Sequence, residues 1–294
     1  MPKQTTRKPD WLKKRLDYES MHEMSKLLRS LNLHTVCEGA KCPNMGECFR
    51  NRTATFLILG NVCTRNCRFC AIPKGTPITP DPKEPEHLAE AAVKLKLKHV
   101  VITSVTRDDL KDGGASQFAK CIKEVKFKLP EASIEILIPD FKYNKSALDT
   151  VMNANPDIIN HNIETVPELY ADVRPMANYT QSLNVLEYVK KQRPDILTKS
   201  GFMLGLGEEL SSVFNIMNDL RKINCDILTV GQYLPPSHNH AILKSYIKPE
   251  IFNAIENYGK KIGFIYIASG PYVRSSYNAL DVFTKIKTTN YEIY

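Results

Sequence analysis

Residues 53–70 read Thr-Ala-Thr-Phe-Leu-Ile-Leu-Gly-Asn-Val-Cys-Thr-Arg-Asn-Cys-Arg-Phe-Cys and combine two signals. The first seven residues form an apolar, β-branched run, which is typical of a strand covered on both faces. Cys63, Cys67 and Cys70 follow with the spacing C-x3-C-x2-C. A buried strand that ends in a loop of three thiols predicts a metal site at the carboxyl edge of a parallel sheet.

The rest of the chain repeats the strand signal and separates it with helical stretches, which indicates βα units around a parallel sheet. Six or seven such units are fewer than the eight of a closed barrel. We therefore predict an α/β fold, a partial (β/α)6-type barrel over residues 53–270, with an N-terminal extension (1–52) and a C-terminal tail (271–294). The predicted strands are 53–59, 99–103, 133–138, 157–162, 198–204, 226–232 and 264–268, and the predicted helices are 85–98, 117–129, 180–192, 209–223 and 249–261.

Polar residues gather where successive apolar runs end, and in a (β/α) barrel these positions share the face on which active sites lie. We refer to this face as the rim. Its predicted members are Thr106, Arg107, Asp108, Asp109, Asn162, Glu164, Gly205, Gly207, Glu208, Gln232 and Tyr233.

The composition is that of a globular chain: 294 residues, 43% hydrophobic, 24% charged, with a net charge of +8. No apolar run approaches the roughly 18 residues of a membrane span, so we expect no membrane segment. The basic start has no apolar signal-peptide core, so we expect a reducing compartment, the cytoplasm, with an organellar matrix left open. In such a compartment clustered cysteines indicate metal binding rather than disulfides.

A second cysteine trio, Cys37, Cys42 and Cys48, has the spacing C-x4-C-x5-C. Structural zinc sites close with four ligands, whereas a four-iron cluster held by three cysteines leaves one iron open. Two trios therefore favour two iron–sulfur clusters. The alternative is zinc, with a fourth ligand such as His34 or a cysteine of the other trio. The remaining Cys121 and Cys225 are predicted to be small buried side chains.

The C-x3-C-x-aromatic-C pattern, with Phe69 at the aromatic position, resembles the radical S-adenosylmethionine enzymes. Combined with the second trio it is similar to the lipoyl synthase family, and the likeness extends over nearly the whole chain. It departs from the family pattern at Thr106, at Asn278 and in residues 235–240. The further stretches that carry the resemblance are 103–110, 112–115, 161–166, 199–208, 230–234 and 270–277.

The resemblance implies two 4Fe-4S clusters and S-adenosylmethionine as cofactors. The cluster of Cys63, Cys67 and Cys70 would cleave S-adenosylmethionine to a radical. The auxiliary cluster of Cys37, Cys42 and Cys48, with Ser276 as its fourth ligand, would supply two sulfur atoms for C6 and C8 of a protein-bound octanoyl chain. The residues expected to contact S-adenosylmethionine are Phe69, Ser104, Asn162, Glu164, Arg174, Gly205 and Glu208.

The implied partners are an octanoylated lipoyl-carrier domain, from a 2-oxoacid dehydrogenase E2 component or a glycine cleavage H protein, and an electron donor such as ferredoxin or flavodoxin. The positive charge suits an acidic carrier, and neither nucleic acid nor a membrane is expected as a partner. Two alternatives stay open at this point. One is another radical S-adenosylmethionine sulfur transferase, similar to biotin synthase, and the other is a non-enzymatic zinc or iron–sulfur scaffold protein.

Overall fold

The computed structural model describes residues 7–13, 17–51, 53–277 and 279–291. Asn278, where the sequence departs from the family pattern, lies outside the described residues. None of the helices in the described ranges combines the length and the apolar character needed to cross a membrane.

The fold is built on one sheet of eight strands, as far as the described residues show, and the strands lie in chain order. The short first strand pairs antiparallel with the second, and each later neighbouring pair is parallel. The strands are β1 His34–Thr35, β2 Thr55–Ile58, β3 His99–Ser104, β4 Ser133–Leu137, β5 Ile158–Asn160, β6 Leu197–Leu204, β7 Ile227–Gln232 and β8 Tyr266–Gly270. The seven parallel strands confirm the seven predicted runs, and β8 is shifted by two residues.

Helices follow the parallel strands, as expected of βα units. They are α1 Tyr18–Ser30, α2 Val36–Gly39, α3 Met45–Arg50, α4 Glu84–Lys94, α5 Ala115–Lys128, α6 Lys145–Met152, α7 Tyr170–Val173, α8 Tyr179–Gln192, α9 Leu210–Lys222, α10 Pro249–Lys261 and α11 Ala279–Tyr291, with 3-10 turns at Asp10–Leu12, Phe141–Tyr143 and Pro167–Leu169. The five predicted helices correspond to α4, α5, α8, α9 and α10. No sequence pattern predicts α1 to α3, α6, α7 or α11.

Local sequence explains several helix starts. Pro85 occupies the first turn of α4, where its missing N–H has no helical partner to lose. The side chain of Asn144 accepts a hydrogen bond from Ala147 N at the start of α6, at 3.3 Å. Asn178 does the same for Gln181 N at the start of α8, at 2.9 Å.

The concave face of the sheet is closed at the amino ends of its strands by α11. Val282 and Ile286 pack against Ile158 and Ile227, the first residues of β5 and β7. The ring of Phe283 lies 5.6 Å from the ring of His99 at the start of β3. With this end filled, the carboxyl ends of the strands form the open side of the fold.

Candidate functional site

The loop after β2 carries the first cysteine trio and is anchored on both sides. Cys63 N donates to Pro73 O at 2.8 Å, and Gly75 N donates back to Cys63 O at 3.1 Å. The hydroxyl of Thr64 donates to Thr106 O at 2.9 Å and accepts from Asp108 N at 3.1 Å. These bonds hold the loop over the carboxyl end of β3.

The second trio is carried by two short helices in front of the sheet. Cys37 lies in α2, which is capped by the Thr35 hydroxyl, and Cys48 lies in α3. Cys42 stands between them, and its N–H donates to Cys37 O at 3.0 Å. The backbone therefore folds the wide C-x4-C-x5-C spacing into one compact unit.

Both trios line a single cavity of about 570 Å³ at the rim. The thiols of each trio are near enough to act on each other electrostatically. Burial raises the pKa of Cys37 to about 12, and the Cys42 and Cys48 thiols add to this increase. Burial likewise raises the pKa of Cys70 to about 12, with contributions from Cys67 and Cys63.

The tail after β8 returns to the same cavity and contributes Ser275 and Ser276 to its lining. Two hydrogen bonds join this tail to the second trio's segment. Asn44 Nδ2 donates to Tyr272 O at 2.7 Å, and the Tyr277 hydroxyl donates to Glu47 Oε1 at 3.0 Å. Ser276 is thereby placed on the same side of the cavity as Cys37, Cys42 and Cys48.

The tail crosses β7 at Gly231, and the crossing requires a residue without a side chain. A Cβ atom at position 231 would lie 2.1 Å from the carbonyl oxygen of Val273. The neighbouring Arg274 is half-buried, and its guanidinium donates to Val273 O at 2.6 Å. The path of the tail therefore depends on the glycine.

Polar groups on the other side of the cavity follow β5. Asn162 Nδ2 donates to Glu164 Oε1 at 3.1 Å and to the Ser275 hydroxyl at 2.7 Å. Arg174 donates through Nη1 to the carbonyl oxygens of Asn162 and Ile163. Glu164 adopts a left-handed backbone conformation with φ of 70°, a costly state for a residue with a side chain.

Several buried polar atoms of the cavity have no hydrogen-bond partner among the described residues. They are Ser104 Oγ, Asn162 Oδ1, His161 Nε2 and Arg174 Nε. Buried polar groups in folded proteins are almost always satisfied, so unpartnered atoms at a cavity wall indicate a ligand. His161 Nδ1 is 2.9 Å from Ile138 O, which fixes the proton on Nδ1 and leaves Nε2 as an acceptor.

The structure brings together most of the residues predicted for the site. All six trio cysteines, Phe69, Ser104, Asn162, Glu164, Arg174 and Ser276 line the cavity. Gly205 and Glu208 do not. The Glu208 carboxylate accepts from Gly205 N at 2.6 Å and Leu206 N at 2.9 Å, so it stabilises its own turn.

The sequence analysis assigned no role to Arg65, Asp140, Asn44 or Glu47, all of which shape the site. Arg65 lies within the first trio and pairs with Asp108 and Asp140. The spacing of the cysteines predicts the metal ligands and indicates nothing about the residues between them. The partners of Arg65, Asn44 and Glu47 are distant in sequence, and no local pattern marks such pairs.

The donors at this site suit iron–sulfur clusters. Within the described ranges, no three or more His, Cys, Asp and Glu side chains are grouped closely enough to hold a single metal ion. A four-iron cube binds its three thiolates through three different irons, so its ligands stand further apart. Neighbouring thiols whose pKa is raised by burial and by each other are stabilised when a metal binds them as thiolates.

Comparisons with known proteins agree with this geometry. The sequence profile of the Radical SAM superfamily matches residues 57–220. The chain is 58% identical to the lipoyl synthase of Caldanaerobacter subterraneus subsp. tengcongensis, covering 94% of this chain and 96% of that protein. It is 53% identical to the lipoyl synthase of Alkaliphilus metalliredigens, covering 95% and 97%. Among solved structures, methylornithine synthase superposes with a TM-score of 0.57 at 15% identity, covering 84% of this chain and 74% of that one, and thus shares the fold.

Proposed function

The chain belongs to the lipoyl synthase family of radical S-adenosylmethionine enzymes, and from this premise we propose which residues hold each cluster and which bind the organic ligands. The reaction is insertion of two sulfur atoms at C6 and C8 of an octanoyl chain bound through a lysine amide. Along the chain, residues 1–52 hold the auxiliary cluster, 53–270 form the catalytic barrel, and 271–294 supply the serine. The reaction takes place in the cytoplasm.

One observation carries the assignment: both cysteine trios and Ser276 line the same cavity. A sulfur donor has to lie beside the carbon that receives the sulfur, because the transfer occurs within one bound complex. Cys63, Cys67 and Cys70 would hold the cluster that binds S-adenosylmethionine. When bound, the cluster and S-adenosylmethionine would supply one-electron radical chemistry at unactivated C–H bonds. Cys37, Cys42, Cys48 and Ser276 hold the cluster that is the sulfur source.

The remaining cavity residues bind and orient the two organic ligands. Ser104, Asn162 and Arg174 face S-adenosylmethionine with the polar atoms that lack protein partners, and Glu164 lines the cavity beside them. An octanoyl chain needs an apolar wall, since burying its methylene groups stabilises the complex by about 0.8 kcal/mol each. The cavity provides one through Leu57, Val105, Leu137, Ile138, Phe202 and Met203. These side chains also keep water away from the reacting carbons.

The substrate is delivered by an acidic carrier domain, from a 2-oxoacid dehydrogenase E2 component or a glycine cleavage H protein. Lys8, Lys41 and Lys74 belong to the lining of the cavity, and the whole chain carries a net charge of +8. Such a basic opening attracts an acidic partner and orients it during encounter. A low-potential donor such as ferredoxin or flavodoxin supplies the electrons.

Metal content and two cysteine variants test this function. After anaerobic reconstitution the wild-type chain should contain about eight irons, four for each trio. Cys67→Ala should abolish formation of 5′-deoxyadenosine. Cys42→Ala should still cleave S-adenosylmethionine and yield no lipoyl product.

Cys121→Ala is the matched control, because Cys121 is a buried cysteine of α5 outside both trios. It should retain both activities. About one zinc per chain with little iron would contradict the enzyme and support the zinc scaffold. Interchanged phenotypes of Cys67→Ala and Cys42→Ala would reverse the assignment of the two clusters.

A further inference from the structure

The side chain of Arg65 makes a double fork to two carboxylates beside the first trio. Nε and Nη2 donate to the two oxygens of Asp108 at 2.7 and 3.0 Å. Nη1 and Nη2 donate to the two oxygens of Asp140 at 2.7 and 2.6 Å. Four of the five N–H groups of the guanidinium are therefore used within the protein.

This arrangement is almost completely buried. The side chains of Arg65 and Asp140 are 5% and 0% exposed, and that of Asp108 is 15% exposed. Burial alone would raise the pKa of Asp140, but the Arg65 guanidinium holds it well below its usual range. The carboxylate of Asp140 is thus an ionised partner of Arg65, and charge-assisted forks of this kind are among the strongest hydrogen bonds in proteins.

The fork joins three separate elements at the rim. Arg65 lies in the cysteine loop, Asp108 follows β3, and Asp140 follows β4. The N–H of Arg65 also donates to Cys63 Sγ at 3.4 Å, so the same residue contacts a thiol of the trio. A displacement of Arg65 would consequently move the loop that carries Cys63 and Cys67.

Arg65 differs from Arg174, the other buried arginine of the cavity that faces the first trio. Arg174 Nε has no partner among the described residues, and Arg174 lines the cavity, which suits a ligand contact. Both edges of the Arg65 guanidinium donate hydrogen bonds to the two aspartates. It also shares Asp108 with Lys142, whose Nζ lies 3.9 Å from Oδ1.

We infer that Arg65 is a positioning residue, which together with Asp108 and Asp140 fixes the first trio in the orientation that lets its cluster bind S-adenosylmethionine. This inference rests on the proposed function and adds a residue to it. Lysine cannot replace Arg65, because a single ammonium group cannot make two planar forks. Arg65→Lys therefore keeps the charge and loses the geometry.

The test uses the full-length reconstituted chain, with wild type, Arg65→Lys and Asp108→Asn. Adding S-adenosylmethionine changes the electron paramagnetic resonance spectrum only of the cluster that binds it, so the difference spectrum isolates the first trio. Arg65→Lys should retain about eight irons per chain and a cooperative unfolding transition, at a lower melting temperature than wild type because a buried fork is lost. It should lose the difference spectrum and form 5′-deoxyadenosine at least about tenfold more slowly. Asp108→Asn, which keeps an acceptor oxygen and one intact fork, should show a smaller loss.

Arg193→Lys is the control, because Arg193 makes the same kind of fork to Asp195 on the surface, at 2.9 and 2.7 Å. It should behave as wild type. A wild-type difference spectrum in Arg65→Lys would overturn the inference, and so would a loss of iron and of cooperative unfolding with an unchanged spectrum per cluster. Failure of the wild-type chain to bind iron or to cleave S-adenosylmethionine would instead refute the proposed function.

Discussion

At the scale of single residues, Ser276 brings a hydroxyl to a group of candidate ligands that are otherwise thiols. Soft thiolate ligands suit iron–sulfur clusters better than oxygen ligands do. An iron held by Ser276, as we propose, would therefore be the one most easily released from the auxiliary cluster.

Replacing this oxygen with sulfur should interrupt the reaction at a defined stage. Ser276→Cys is expected to assemble both clusters and to cleave S-adenosylmethionine, but to stall before sulfur insertion is complete, because the thiolate retains the iron. Ser275→Ala should be milder, since it removes only the hydroxyl that accepts from Asn162. The measurement is 5′-deoxyadenosine and lipoyl product in one turnover. A fully active Ser276→Cys beside an inactive Ser275→Ala would show that the ligand is Ser275 and not Ser276.

His161 gives the protein a pH dependence that can be assigned to one side chain. Burial, assisted by Arg174, lowers the pKa of His161 from 6.5 to about 4. Between these values the unfolded chain binds a proton and the folded chain does not, so stability is lost as the pH falls below 6.5. From pH 6.5 to pH 5 the loss should reach about 2 kcal/mol.

Denaturant unfolding of the metal-free chain at pH 7.5 and pH 5 measures this loss. His161→Gln should reduce the difference between the two pH values by about 2 kcal/mol. The exposed His238 provides the control, and His238→Gln should leave the difference unchanged. Equal pH dependence in wild type and His161→Gln would show that His161 is not the responsible group.

At the scale of elements, the sheet and the tail depend on each other at β7. Gly231 pairs with Gly270 of β8 in the sheet, so two glycines lie side by side. Both glycines contact the tail, since Val273 N donates to Gly270 O at 3.0 Å, but the backbone of the tail leaves no room for a side chain only at Gly231. A Cβ atom at Gly270 would meet Val273 Cγ2 at 3.4 Å, an ordinary contact, whereas one at Gly231 would collide with backbone.

Gly231→Ala should therefore displace the tail and leave the barrel folded. The variant should still form 5′-deoxyadenosine and should make at least about tenfold less lipoyl product for each molecule cleaved, because Ser276 is moved. Gly270→Ala is the matched control and should couple the two products as wild type does. Normal coupling in Gly231→Ala would mean that the tail reaches its place by another path.

The elements predicted from the sequence are those with a clear apolar period. Seven parallel strands are visible because each is a continuous β-branched run, and α4, α5, α8, α9 and α10 because their apolar residues recur at helical spacing. A two-residue strand such as β1 has no period at all. The helix α11 was missed because it covers the amino ends of the strands, a tertiary role without a local signal.

The candidate site divides in the same way. The cysteine trios are visible in the spacing of a single sequence, whereas the role of Ser276 is implied only by the resemblance to the family. Other features of the site have no such signal. The Arg65 forks and the Asn44 and Glu47 bonds to the tail join residues that are 43 to 230 positions apart. The close passage at Gly231 depends on backbone packing. Spacing rules describe neighbours along the chain and contain no information about such contacts.

At the scale of the whole molecule, the excess of positive charge bears on the carrier rather than on the octanoyl chain. In the proposed reaction the neutral octanoyl group would enter an apolar cavity, whereas an acidic carrier would approach through solvent, where salt screens the attraction. The two parts of the substrate should therefore respond differently to ionic strength.

Steady-state kinetics can separate the two contributions. Raising the salt from about 50 mM to about 300 mM should increase KM for an octanoylated acidic carrier domain several-fold. For a short uncharged octanoyl-lysine peptide KM should stay nearly constant. Lys74→Gln should reduce the salt effect for the carrier alone. An equal change of KM with salt for both substrates would show that electrostatic attraction does not contribute to carrier recognition.

The contacts of Asn44 with Tyr272 and of Glu47 with Tyr277 span 228 and 230 positions, and they set an order of events during synthesis. The amino end of a protein leaves the ribosome first, so the segment of Cys37, Cys42 and Cys48 emerges long before Tyr272 and Tyr277 do. The strands that follow can pair as they appear, and the loop of Cys63, Cys67 and Cys70 can settle on β3 and β4. The auxiliary pocket gains its serine only after translation has passed residue 277. In the proposed assignment, the cluster of Cys37, Cys42 and Cys48 would consequently acquire its fourth ligand only near the end of synthesis.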